Sequence, residues 1–406
     1  VGIERFALGD PVGVAAQVRA LAPGPSLVTD AVAAIVADVR ERGDEALLRY
    51  VERFDGVEGP VAVGADECTA ALAALDADVR AGLEVAIANV RAVAEAGVDS
   101  ERGVMLPQGQ TVTLREVPVR RAAVYVPGGR APYPSTVVMG VVTARAAGVE
   151  DVVVCAPGAH PVILAACALC EVDAVFRMGG AHAVAALAYG TETVPRVDVI
   201  VGPGNLYVQE AKRLVSGDVG IDGFAGPSDV VVLAAGDADP ALVATDLAAQ
   251  AEHGEGTIVC AVSDDAELLD AISFDPGAAA AALLHAPDLE TGLAFAEAFA
   301  PEHLELVGAG AEALASRVRS AGCVFVGRES GTAFGDYVAG SNHTLPTGGA
   351  ARFASGLNPR HFRRRMAEVR IGAGAGALAR AGAPVARAEG FERHAASMEV
   401  RENGAS

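Results

Sequence analysis

The sequence predicts an α/β protein built on two Rossmann-like open α/β domains, with small helical segments at its N-terminal and C-terminal ends. Three observations carry that prediction. From about residue 122, short β-branched runs alternate with Ala-rich stretches of helical length. The runs fall into two groups, one ending near residue 201 and the other beginning at 229. Ahead of them, apolar residues recur at three and four, as on a helix face. Strands of about five residues separated by helices of about ten to fifteen are the signature of βαβ units and a parallel sheet.

In order along the chain, residues 28 to 100 read as mostly helical, with the turn Phe54-Asp55-Gly56 between two such stretches. The first strand group is AAVYV at 122–126, DVVVC at 151–155, AVFRM at 174–178 and VDVIV at 197–201. DVVVLAA at 229–235, TIVCAVS at 257–263 and GCVFVG at 322–327 form the second. From about 358 the alternation is lost. The segment Ile371 to Ala377 carries Gly372, Gly374 and Gly376, but its third glycine is misplaced for a dinucleotide fingerprint and no strand precedes it. Better ligand loops follow strands: Tyr125-Val126-Pro127-Gly128-Gly129 and Gly202-Pro203-Gly204-Asn205. Glycine there lets a backbone approach a ligand closely. Neither loop has standard fingerprint spacing, so a nucleotide would be held in an unusual mode.

Composition narrows the function. The 406 residues are 51% hydrophobic and 20% charged, with a net charge of -21. A nucleic-acid binder needs a basic footprint, and this chain lacks one. Its one basic run, Arg360-His361-Phe362-Arg363-Arg364-Arg365, reads as a solvated face or an internal contact. The six cysteines lie in apolar or Ala-rich segments; Cys167 and Cys170 resemble a redox or zinc pair, but no second pair follows at finger spacing. They read as buried thiols in a reducing compartment. No signal peptide is visible, and the longest uncharged run, Val152 to Cys170, is broken by Pro157, Gly158 and Pro161. A cytoplasmic protein without a membrane partner is expected.

The chemistry-bearing residues cluster in a few stretches. Residues 241 to 251 form a helix with Leu242, Val243 and Leu247 as its apolar stripe, stopped just beyond by Gly254. Gln250 and His253 then leave the same face at its last turn, as half of a metal site or as a capped end with a surface histidine. His160 and His285 sit in connections and receive no role, and His361 belongs to the basic run. Pro301-Glu302-His303 sets a carboxyl beside an imidazole just before the strand-like Leu304-Glu305-Leu306, a pair able to do acid/base work. Gly335 to His343 is a Gly-punctuated segment holding Asp336, Asn342 and His343; loops of this kind usually carry function. Glu389 and His394 stand near the C-terminus.

Taken together, the chain resembles the histidinol dehydrogenase family over nearly its whole length. The segments that carry the likeness are VYVPGGRAPYPSTVVMG, RMGGAHAVAALAYGTETVP, VGPGNLYVQEAKR, IDGFAGPSDVVVLA, AAQAEHGEGT, APEHLEL, FGDYVAGSNHTLPTGGAARFASGL and AEGFERH. The resemblance implies four-electron oxidation of L-histidinol to L-histidine through the aldehyde, using two NAD+ and one zinc ion per subunit, in a homodimer. It implies zinc ligands Gln250, His253, Asp336 and His394, and Glu302 with His303 as the acid/base pair. Substrate contacts would come from Ser228, His303, Asp336, His343 and Glu389 together with the zinc-ligand set, and cofactor contacts from Tyr125, His182 and Asn205. Glu389 and His394 would reach into the partner's site. Mixed nitrogen and oxygen donors suit Zn2+, which has no redox chemistry of its own beside a hydride transfer.

The implied organisation is an N-terminal segment 1–20, a metal-bearing α/β domain of residues 21–124 and 229–357, an NAD-side α/β domain of residues 125–228, and a dimerisation tail 358–406. Three departures touch the cofactor and substrate half. His182 stands where the family usually has Gln, Asp229 replaces the usual Glu, and Gly223-Phe224 are less typical. They leave open a relative acting on another small polar alcohol, such as a diol sulfonate. Ser228, His343 and Glu389 favour histidinol.

Overall fold

Apolar runs such as Asp229–Ala234 and Ile258–Ser263 are buried along their whole length, which requires cover on both faces of a sheet. The computed structural model describes residues 2–22, 28–128, 131–223 and 226–402. Gly129 and Phe224 lie outside the described residues. Two compact units are distinguished: residues 1–97 with 120–362, and residues 98–119 with 363–406. The strands, numbered along the chain, begin with β1 (Ile3–Ala7), β2 (Arg102–Met105), β3 (Thr111–Pro118), β4 (Arg121–Tyr125) and β5 (Asp151–Cys155). They continue with β6 (Ala174–Phe176), β7 (Val199–Val201), β8 (Gly220–Ile221), β9 (Asp229–Ala234) and β10 (Ile258–Ser263). The last are β11 (Ala280–His285), β12 (His303–Val307), β13 (Cys323–Val326) and β14 (Arg363–Arg370).

The first unit holds two parallel sheets among the described residues. One has the order β6-β5-β4-β7-β8, the other β1-β11-β10-β9-β12-β13. In the six-stranded sheet, Val231 and Leu233 of β9 pack into one apolar cluster while Val230 and Val232 pack into another, so helices cover both faces. Two strands of this sheet were not expected. β11 is Ala-rich, with little β propensity of its own, and is strand because it pairs with both β10 and β1. β1 is an edge contributed by the N-terminal segment, which was read as helical.

The expected boundary at 124 implied that the helices between 29 and 96 join the six-stranded sheet; they do not. Val32, Val36 and Val39 of helix Thr29–Arg42 share the core of the five-stranded sheet with Ala183 to Ala188 and Val208. Helix Ala65–Ala73 packs on Pro161–Leu169, and Ala77–Ala96 packs on Pro134–Ala146. An Ala-rich partner admits close approach of a Val stripe, and that decides the assignment.

In the second unit, the basic run continues into β14, antiparallel to β3, with β2 beyond. Arg363 donates to the Glu116 carbonyl at 2.6 Å, and Arg365 pairs with the Glu116 carboxylate, so part of the run is an internal contact. The glycine-rich stretch 371–377 opens helix Ala375–Ala388, which packs on helix Glu392–Glu399. Cys155, Cys167, Cys170 and Cys260 are buried free thiols, as expected; Cys68 and Cys323 are partly exposed. Among the described residues no helix is long and apolar enough to cross a membrane.

Candidate active site

A cavity of 610 Å³ lies in the first unit where opposite edges of the two sheets meet. The five-stranded sheet presents its C-terminal edge: Tyr125 ends β4, and the turn Gly202–Asn205 follows β7. The six-stranded sheet presents its N-terminal edge, where Ser228 precedes β9 and Glu302 precedes β12. His303, His253, Asp336 and His343 complete this wall.

Helix Pro240–Ala251 is capped by Asp239, which accepts from the Ala241 N–H, and it buries Val243, Leu247 and Gln250. The chain turns out at Gly254, φ +84°. His253 lies just past the last turn, and its Nδ1 donates to the Gln250 carbonyl at 3.0 Å. A carbonyl only accepts, so Nδ1 carries the proton and the lone pair belongs to Nε2, the tautomer a metal ligand needs. The Gln250 amide nitrogen donates to Ser228 Oγ, which assigns Oε1 the part of a ligand donor. Asp336 comes from helix Thr332–Tyr337. Amide oxygen, imidazole nitrogen and carboxylate form a donor set that fits Zn2+. Among the described residues no group of three or more His, Cys, Asp or Glu converges to hold a metal. The remaining expected ligand, His394, stands on helix Glu392–Glu399 of the second unit, and Glu389 closes helix Ala375–Ala388; both are exposed.

Glu302 is held from every side. Its carboxylate accepts from the Ser228 hydroxyl and, at 3.1 Å, from the Asp229 N–H. Its own N–H donates to Asp229 Oδ1 at 2.7 Å. Asp229 Oδ2 accepts from Arg19 at 2.5 Å, and Arg19 lies 3.6 Å over the Phe299 ring while donating to the Phe299 carbonyl. Ala300, at φ +50°, turns the chain from helix Leu289–Phe299 into Glu302, an uncommon conformation for a residue with a Cβ.

Burial and the Asp229 charge hold the Glu302 carboxyl well above its ordinary range. Burial lowers His303 to about 3 and His343 to about 4, so both imidazoles are neutral. It raises Asp336 to about 6. His303 Nδ1 is 3.7 Å from Glu302 Oε2, and Nε2 is 3.7 Å from Asp336 Oδ1. Among the described residues, His303 Nδ1 and His343 Nε2 are buried without a hydrogen-bond partner. Such atoms in a cavity wall suit a polar ligand.

The expected cofactor contacts divide. Tyr125 and Asn205 line the cavity; Asn205 also caps helix Leu206–Val215 through Oδ1. His182 is 2% exposed and does not line it. Its Nε2 is 2.9 Å from Asp55, which also accepts from the Gly179 N–H at 2.9 Å. Asp55 ends a π-helical turn, Val51–Asp55, whose partner across the sequence could not be read. Sequence reasoning also missed Arg19. The faint signal was an arginine at the end of an amphipathic helix, and its partners lie 210 and 280 residues away.

A family model described as histidinol dehydrogenase matches residues 24–402. The chain belongs to the histidinol dehydrogenase family. A histidinol dehydrogenase from Haloarcula marismortui is 44% identical over 400 residues, covering 93% of this chain and 94% of that one. One from Thermobifida fusca is 42% identical, covering 90% of each. A solved histidinol dehydrogenase from Elizabethkingia anophelis superposes with a TM-score of 0.91 at 28% identity, covering 98% of both chains. The likeness to this family therefore spans both parallel sheets and the second unit.

Proposed function

We propose that this chain oxidises L-histidinol to L-histidine through the aldehyde, with two NAD+ and one zinc ion per subunit, as a cytoplasmic homodimer. The observation that carries the reading is Glu302-His303, buried in one cavity wall with His253 and Asp336, beside Ser228, to which the buried Gln250 amide donates. Bound zinc supplies a Lewis-acidic anchor for the substrate's nitrogens. NAD+ supplies the hydride acceptor.

This chain's own residues do the rest. His303, neutral through burial, accepts the hydroxyl proton as the carbinol carbon is oxidised. Glu302, steered by Ser228 and Asp229, takes a proton from water as that water adds to the aldehyde. The hydrate then gives up the second hydride and becomes the carboxylate, so two electron pairs leave and one water oxygen enters. Neutral His343, with an unmatched Nε2, accepts from a substrate N–H. Glu389 and His394 complete the site from the partner subunit.

The test is NADH release from L-histidinol and NAD+. Two NADH per histidinol, lost on chelation and restored by zinc, is the expected result. Silence with histidinol but turnover of another alcohol, such as a diol sulfonate, would replace the substrate. Glu302→Gln should slow oxidation of added aldehyde by about 10²-fold or more. Unchanged aldehyde oxidation would remove Glu302 from the hydration step.

A further inference from the structure

Pro203, Gly204 and Asn205 line the side of the cavity proposed for the cofactor, and two charged residues hold the backbone of Gly202 just ahead of them. Lys212 and Asp222 form an ion pair whose side chains are 2% and 4% exposed. Lys212 Nζ donates to the Gly202 carbonyl at 2.9 Å, and Asp222 Oδ2 accepts from the Gly202 N–H at 2.6 Å. Both polar groups of one glycine are thus engaged by the two members of one buried pair. Gly202 has φ +115°, and a Cβ there would stand 2.1 Å from the Tyr125 carbonyl oxygen, so the turn is pressed against the end of β4. Downstream, Gln209 donates to the Gly204 carbonyl at 3.0 Å.

A buried ion pair is a weak device for stability, because apolar residues of similar size often serve as well. What this pair adds is geometry. Two opposite charges grip the N–H and the C=O of a single residue, which defines the orientation of the peptides on either side of it. Those peptides lead directly into Gly204 and Asn205 on the cavity wall.

We infer that Lys212 and Asp222 are positioning residues for the dinucleotide: they hold the Gly202–Asn205 turn in the conformation that binds it. This rests on the NAD+ reading above. The test uses the full-length, zinc-loaded protein with Lys212→Met, Asp222→Asn and the double variant. NADH affinity is read by fluorescence titration, L-histidinol affinity by calorimetry, and zinc content and melting temperature alongside. Each variant should bind NADH about tenfold or more weakly, the worth of a charged hydrogen bond. Histidinol affinity and zinc content should stay at wild-type levels. The double variant, which leaves neither charge unpaired, should regain melting temperature but not NADH affinity. Parallel loss of NADH, histidinol and zinc would mark the pair as a general structural element and overturn the inference. So would wild-type NADH binding in any of the three variants. A wild-type protein that binds no NADH would instead remove the dinucleotide reading itself, and this inference with it.

Discussion

At the scale of single residues, the centre of the site is a stack of like charges made tolerable by one cation. Asp229 and Glu302 are both buried and adjacent: burial pushes each toward its protonated form, and the Asp229 charge pushes Glu302 further the same way. Arg19 offsets this from the side remote from the cavity, with its guanidinium on Phe299 and one nitrogen on Asp229. Arg19→Met should leave a buried carboxylate unpaired and destabilise the protein by about 3 kcal/mol, the lower end for a broken buried pair because Arg19 is partly exposed. Arg19→Met/Asp229→Asn should recover much of that. Chemical denaturation checks both; equal stability of Arg19→Met and wild type would mean that Arg19 contributes nothing to the pair.

At the scale of elements, Glu305 ties together the two helices that carry expected zinc ligands. From β12 it accepts the Thr332 N–H at 2.7 Å, at the start of the helix bearing Asp336. Its carboxyl also interacts with that of Asp246, four residues before Gln250 on the other helix. Burial and the neighbouring Asp246 raise Glu305 from 4.5 to about 8. A carboxyl with a raised folded-state pKa contributes stability that is fully present below its unfolded value and is lost as pH rises through its folded one. Between about pH 5 and pH 9, Glu305→Gln should therefore become progressively more stable relative to wild type. Urea midpoints of the two proteins across that range measure this, and parallel profiles would show that Glu305 does not titrate there.

At the scale of the molecule, the two sheets of the first unit obey different rules. The five-stranded sheet offers its C-terminal edge to the cavity, the usual ligand edge of an open α/β sheet. The six-stranded sheet uses its N-terminal edge. At its opposite edge Asp237 accepts the Ala309 N–H at 3.1 Å and stands where a side chain on Gly308 would go. In the proposed reading the remaining zinc ligand, His394, is supplied by the partner subunit. His394→Ala should lose zinc on dialysis with little change in melting temperature, since the residue is exposed. Mixing that variant with Glu302→Gln should restore activity, because one site of each mixed dimer then has both residues intact. No recovery in verified mixed dimers would place His394 in the same subunit's site.

Much of the framework was legible in the chain itself. The runs 151–155, 229–234 and 258–263 are strands of mostly β-branched residues packed on both faces, and their short length between helical stretches reveals that. Gln250 and His253 were legible as a same-face pair because helix geometry is local. What only the tertiary structure decided depends on contacts far apart in sequence. β11 is a strand through its neighbours, and helix Thr29–Arg42 belongs to the five-stranded sheet through an Ala surface some 150 residues away. His182 turns toward Asp55, and Arg19 is drawn to Asp229. Local sequence determines periodicity and capping, whereas the burial of a charge beside its partner is set only when distant segments pack.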